Sequence, residues 1–197
     1  MEDYFSVGLG PHKTYRQHRE TVERLNTAIA RLRTVQMRYF SASRNATTRR
    51  EVDPYHLRYV GGALYLIGYC HWRRDVRLFA VDRIRSLTST DHAYQMPLSF
   101  DVEAYVQDAL VVMRGPAIAV ELLFSKVTAA WVKDRLWHHT QTKTPLKDGD
   151  LRMTLQVADT PELVAWILHF GSGVQVVQPV ALRDKVLAEA RKILGQT

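Results

Sequence analysis

Two adjacent glycines, Gly61 and Gly62, stand between two apolar extended runs, and this pair restricts the backbone more tightly than any other short signal in the chain. Both central residues of a type I′ hairpin turn need positive φ, which glycine adopts at no steric cost. The pair therefore predicts a β-hairpin with one arm over 49–60 and the other over 63–71. Around it the alternation continues. Residues 34–40 read as a strand, 41–48 as a polar loop and 72–75 as a turn, while 76–81 and 84–89 supply two further strands. Five short strands joined by tight turns imply a small barrel, and Pro54 inside the second strand marks an edge or a bend. Before the strands, Val22, Leu25, Ala28, Ile29 and Leu32 recur at helical spacing from Arg19 onward. Residues 1–18 have no period and read as a tail or linker.

Pro97 and the run Ser99-Phe-Asp101 mark a boundary, and 97–115 reads as a linker carrying a short helix (Val102, Tyr105, Val106, Ala109). The remainder, 116–197, is patterned differently. It reads as strand 117–124, helix 126–136, strand 138–144, a turn at Lys147-Asp-Gly-Asp150, strand 151–157, a helix from Pro161 to Phe170, strand 174–177 and helix 180–194. Thr160-Pro161-Glu162 opens the third-to-last of these with proline in the first helical turn, and Gly171 closes that helix. The order β-α-β-β-α-β is the ferredoxin-like plan with an added C-terminal helix.

Charge is concentrated in the first half. Between Arg31 and Arg85 there are twelve Arg, no Lys and four acids (Glu51, Asp53, Asp75, Asp82), a local excess of +8 in a chain whose net charge is +7. Exclusive use of arginine favours bidentate recognition of phosphate or carboxylate and stacking on flat rings.

The stretch from Arg50 to Tyr69, containing Arg50-Glu-Val-Asp-Pro54 and Leu64-Tyr-Leu66, followed by Arg77-Leu-Phe-Ala-Val-Asp-Arg-Ile84, resembles the signature of WYL-domain bacterial transcriptional regulators. The tryptophan of the name motif is Leu64 here, which keeps the alternation and removes one stacking ring. The second half resembles the C-terminal extension of the same family at Trp137-His-His-Thr-Gln141, Asp148-Gly149, Glu162-Leu-Val-Ala-Trp-Ile167, Phe170-Gly171 and Val176-Val-Gln-Pro-Val-Ala-Leu-Arg183. The resemblance implies an α+β chain: an Sm-like/SH3-like five-stranded β-barrel within 19–96, followed by a ferredoxin-like βαββαβ domain. It also implies an N-terminal helix-turn-helix, for which the residues before Arg19 are too few. On this reading the chain is the effector-sensing part of a longer regulator, or a stand-alone remnant of one.

The same resemblance places a ligand-binding basic patch on the strands that carry Arg50, Arg77 and Arg83. Interleaved rings and cations extend the candidate surface to Tyr55, His56, Arg58, Tyr59, His71, Trp72, Arg73 and Arg74, the combination that holds single strands by stacking and charge. Alternation puts Tyr55, Leu57 and Tyr59 on one face of the second strand and His56 and Arg58 on the other. Tyr65, Phe79 and Ile84 read as core, and Asp82 as the ion-pair partner of Arg83 or Arg77.

Single-stranded DNA is the expected effector, as in DNA-damage-responsive members of the family, with a small nucleotide or dinucleotide, or no ligand at all, as alternatives. Promoter DNA would be met through a helix-turn-helix outside this chain. A homodimer is expected through apolar surface at Val174, Val176 and Trp166.

No enzyme signature is present. His138 and His139 are adjacent, so on a strand they would face opposite ways and make a poor metal site with His169; no cofactor is expected. Cys70 reads as small core filling. With a single cysteine, no membrane-length apolar run and no signal peptide at Met1 to Lys13, a soluble cytoplasmic location is expected.

Overall fold

A computed structural model describes residues 11–195, and the chain divides into two compact units, Met1–Val102 and Glu103–Thr197. The first begins with α1 (Arg19–Ala30), followed by β1 (Arg33–Ser41), β2 (Ala46–Val60), β3 (Ala63–Cys70), β4 (Asp75–Ala80) and β5 (Ile84–Ala93). These strands form one antiparallel sheet in the order β4-β3-β2-β1-β5. Gly61 and Gly62 have φ of 57° and 75° and join β2 to β3, so the glycine pair acts as the alternation requires. Leu25 and Ala28 of α1 pack into a core with Val35, Met37, Val52, Leu66 and Val81.

The expected barrel is not closed by hydrogen bonds. Among the described residues no ladder joins β4 to β5, the two edges of the sheet. Only the 3-10 turn Val81–Arg83 connects those edges. A flat five-stranded sheet would hold them about 19 Å apart, beyond the ~14 Å that so short a connection spans. The sheet is therefore strongly curled but remains open.

A bulge in β2 changes which residues face inward. Pro54 pairs with Gly68 and His56 with Ile67, leaving Tyr55 without a partner. Val52 stands opposite Cys70 and Leu57 opposite Leu66, so the inward face moves from even to odd numbers across the bulge. Arg50, opposite Met37, is on the same inward face as Val52.

Residues 11–18, expected as part of a tail, lie against this sheet. The Lys13 amide donates to the Gly62 carbonyl at 2.8 Å, the Leu64 amide donates to the Tyr15 hydroxyl at 2.6 Å, and the Tyr15 ring packs on the core. Lys13 Nζ holds Asp82 at 2.6 Å, which corrects the pairing of Asp82 with Arg83 or Arg77. Residues 1–10 of the expected tail lie outside the described residues.

The five-residue α2 (Val102–Val106) stands at the division between the units. In the second unit, β6 (Ala117–Phe124), α3 (Lys126–Val132), β7 (Thr142–Pro145), β8 (Leu151–Ala158), α4 (Pro161–Leu168) and β9 (Val174–Gln178) follow the expected β-α-β-β-α-β order, and α5 (Val180–Leu194) ends it. The antiparallel sheet runs β7-β8-β6-β9. Its inward residues, Leu122, Phe124, Met153 and Leu155 among them, pack with Leu163, Ile167 and Leu182 of the helices.

Two boundaries in the second unit differ most from the sequence reading. The helix expected to reach residue 136 stops at Val132, where the Lys143 ammonium donates to the carbonyls of Lys133 and Arg135. The strand expected from 138 begins at Thr142, because the His138 ring turns inward: Nε2 meets the Gln107 carbonyl at 2.7 Å and Nδ1 the Thr140 hydroxyl at 2.8 Å. The His138 and His139 rings therefore lie side by side, 4.4 Å apart, instead of on opposite faces. The surface expected to dimerise is also placed differently. Val176 is buried, and Val174 and Trp166 pack against the core, whereas Val127, Trp131 and Leu187 are exposed. Among the described residues no helix is long and apolar enough to cross a membrane.

Candidate functional site

At one end of the first sheet, Ser41 at the close of β1, Arg44 in the turn after it, Arg50 of β2, Cys70 of β3, Arg73 of the next turn and Arg77 of β4 line a cavity of about 330 Å³. Tyr39, Leu78 and Phe79 complete its wall. The Tyr39 ring meets Phe79 edge-on at 5.1 Å, and its hydroxyl accepts the Ala80 amide at 3.2 Å, which fixes that wall. Two local rules bring the arginines here. Arg50 is two residues before Val52 and Arg77 two before Phe79, so in extended backbone each shares the face of a core residue.

Arg50 is 4% exposed, and its Nε and Nη1 have no hydrogen-bond partner among the described residues. Its guanidinium lies 3.7 Å from the centroid of the Trp72 ring, while those of Arg73 and Arg44 lie at 4.8 and 5.5 Å. Trp72 remains 55% exposed. Burial holds Arg50 below the usual arginine range; the adjacent Cys70 thiol acts against this, and the charges of Arg44 and Arg73 reinforce it. The only ion pair at the cavity is Arg77 with Asp75 at 3.1 Å, among the described residues. Four guanidinium groups against one carboxylate leave a local charge of +3. A desolvated cation without a counter-charge is costly, and an oxyanion accepting from several guanidinium groups offsets that cost.

Of the expected site residues, the structure brings Arg50, Trp72, Arg73 and Arg77 together. Tyr55 is not among them. It is only 8% exposed, covered by Tyr94 at 5.7 Å and Phe100 at 5.0 Å, so it presents no ring for stacking. His56, Arg58 and Tyr59 lie six to nine residues further along β2, about 20–30 Å from Arg50. His71 faces away from the cavity, its Nε2 2.9 Å from Asp53 Oδ1, which also accepts from the Thr34 hydroxyl at 2.6 Å. Arg74 is exposed in the β3–β4 turn at φ 50°, and Arg83 sits in the turn between β4 and β5. Sequence reasoning missed Arg44 and Ser41, and read Cys70 as core although it also lines the cavity. For Arg44 no spacing rule was available, because it belongs to a turn whose shape the sheet imposes.

A larger cavity of about 580 Å³ lies between α4 and α5, lined by Pro161, Val164, Leu168 and Ala188. It is mainly apolar, and its charged rim is already paired, Lys185 with Asp159 at 2.5 Å and Glu189 with Lys192 at 2.6 Å. The arginine cavity is the one with unmet charge.

Residues 20–89 match the WYL domain and residues 116–194 the WCX domain. Among curated proteins, the chain is similar to the uncharacterized HTH-type transcriptional regulator YobV of Bacillus subtilis (strain 168), with 29% identity over 170 residues, 83% of this chain and 51% of that protein. It is also similar to Protein PafC of Mycobacterium leprae, with 28% identity over 148 residues, 75% of this chain and 44% of that protein. The chain thus spans about half the length of the curated relatives it matches. Among solved structures, a CRISPR Cas-related protein shares the fold, with a TM-score of 0.60 at 11% identity, covering 90% of this chain and 52% of that one. Proteasome accessory factor B/C (PafBC) of Arthrobacter aurescens aligns with a TM-score of 0.44 at 24% identity, over 89% of this chain and 27% of that one.

Proposed function

This chain is a WYL domain followed by a WCX domain, and from that premise we propose that it is the effector-sensing region of a bacterial transcriptional regulator, with the arginine cavity as its sensor for a phosphate-bearing effector. The observation that carries this reading is Arg50, buried, without a counter-charge among the described residues and stacked on an exposed Trp72. The effector is single-stranded DNA. Its phosphates meet the guanidinium groups, and its unpaired bases reach the open part of the Trp72 ring, as duplex bases cannot.

Binding would also generate a signal. Arg44, Arg50, Arg73 and Arg77 come from a turn, a strand, a second turn and another strand. An anion among them replaces mutual repulsion by shared attraction and draws these segments together. The curled first sheet then acts as an Sm-like barrel, and the second unit, ferredoxin-like in element order, serves as the dimerising part. Val127, Trp131 and Leu187 are among the exposed apolar residues available for that contact. Promoter DNA is met through a helix-turn-helix domain of the full regulator, in keeping with the HTH-type relative.

A second reading, a small nucleotide or dinucleotide, is favoured by two observations: the cavity is confined to one end of the sheet, and Tyr55 is withdrawn into the core. Titration of single-stranded DNA, duplex DNA and dinucleotides at one fixed salt concentration separates the readings. Tightest binding to single strands, weakened by Arg50→Lys or Arg77→Lys although charge is kept, is the expected result. Equal binding of duplex and single strand would overturn the single-strand reading, and tightest binding of a dinucleotide would select the second.

A further inference from the structure

We propose that the arginine cavity selects a phosphomonoester, the terminal phosphate of a nucleic-acid strand or of a nucleotide, over the internal diester linkages of a strand. This rests on the reading that the cavity takes a phosphate-bearing effector, and it names which phosphate.

Charge is the first reason. The cavity gathers four guanidinium groups and one carboxylate, and Arg44 and Arg73 make no ion pair among the described residues. An internal linkage brings one negative charge, whereas a monoester at neutral pH brings about 1.5 to 2. The monoester therefore comes closer to neutralising the local +3.

Shape is the second. Arg50 belongs to the buried wall, at 4% exposure, while Arg44, Arg73 and Arg77 on the same lining are exposed. A diester has two substituents, both of which must leave through the same mouth, and this holds its phosphorus away from that wall. A monoester has a single tether and presents three unsubstituted oxygens, so it enters end-on and accepts from several guanidinium groups at once. The open part of Trp72 then lies beside the tether, where the terminal base of a strand would stack.

The test uses the full chain and three labelled single strands of one sequence, bearing a 5′-phosphate, a 3′-phosphate or hydroxyls at both ends. Affinities are measured by fluorescence anisotropy at fixed salt, with a nucleoside monophosphate and inorganic phosphate as competitors. One phosphorylated strand should bind about tenfold tighter or more than the hydroxyl-ended strand, the scale of one charge-assisted hydrogen bond. That preference should vanish in Arg50→Met and shrink in Arg44→Ala, whose side chain is exposed and whose replacement leaves the core intact. Tight binding of the monophosphate without strand binding would support the phosphomonoester and assign it to a free nucleotide. Affinities of the three strands within about twofold would overturn the terminal-phosphate selection while leaving strand sensing in place. Failure of every strand and both competitors to bind would overturn the phosphate-sensing reading itself.

Discussion

Replacing Arg50 with methionine should make the unliganded protein more stable while removing its response to phosphate. The guanidinium is 4% exposed, and two of its nitrogens, Nε and Nη1, lack partners among the described residues. Each unmet buried polar group costs about 1–3 kcal/mol, and stacking on Trp72 returns about 0.5–2 kcal/mol. Methionine fills a similar length with an unbranched, uncharged chain beside Tyr39 and Cys70. Two such groups less the stacking leave an expected gain of about 3 kcal/mol at the middle of these ranges, which in a unit of some hundred residues raises the unfolding midpoint by about 4–8 °C for each kcal/mol. Hydrogen exchange of the β1–β3 amides isolates the first unit from the second, and thermal scans with and without phosphate supply the comparison. At a hundred times its dissociation constant, phosphate should stabilise the natural chain by about 2.7 kcal/mol and leave Arg50→Met unmoved. A loss of more than about 1 kcal/mol in Arg50→Met would show that the arginine is a satisfied structural group, and the reasoning from unmet charge would fail.

Three further outcomes follow from the packing. Tyr55→Ala should cost about 3–5 kcal/mol in urea unfolding, as for other buried aromatic truncations, yet leave the ratio of single-strand to duplex affinity unchanged, since the ring lies against Tyr94 and Phe100. Gly62→Ala should release residues 11–15 from the sheet, because its Cβ would stand 2.2 Å from the Pro11 carbonyl oxygen at a φ of 75°; loss of exchange protection at the Lys13 amide measures it. The second unit should lose stability as pH falls below about 6.5. Burial first, and the neighbouring His139 charge as well, lower the pKa of His138 against the Gln107 carbonyl, so the unfolded chain takes up a proton the folded chain refuses. Urea titrations between pH 7.5 and 5 should show a slope that His138→Gln flattens, and an unchanged slope would refute this assignment.

Much of the scaffold is legible from local chemistry. Gly61 and Gly62 specify a turn because their φ requirement is internal to the two residues, and Thr160-Pro161 opens α4 because proline's fixed φ suits a first helical turn. The i, i+2 relation of Arg50 to Val52 and of Arg77 to Phe79 already places two arginines on the core side of their strands. Alternation is a one-dimensional rule, however, and it holds only while the ladder keeps its register. At Tyr55 the sheet inserts one unpaired residue and the phase reverses, and Tyr94 and Phe100, far along the chain, cover a ring assigned to the surface. Contacts between distant segments carry no local signature either. Asp82 finds Lys13 across 69 positions, where nearby arginines were the expected partners. Arg44, Arg50, Arg73 and Trp72 meet because two hairpin ends approach each other in the folded sheet. The sequence by itself determined the strands, the first turns and the arginine-rich composition, since each depends on neighbours along the chain. Only the tertiary structure decided which arginines share a cavity and which one is left without a counter-charge, because burial and charge pairing depend on neighbours in space.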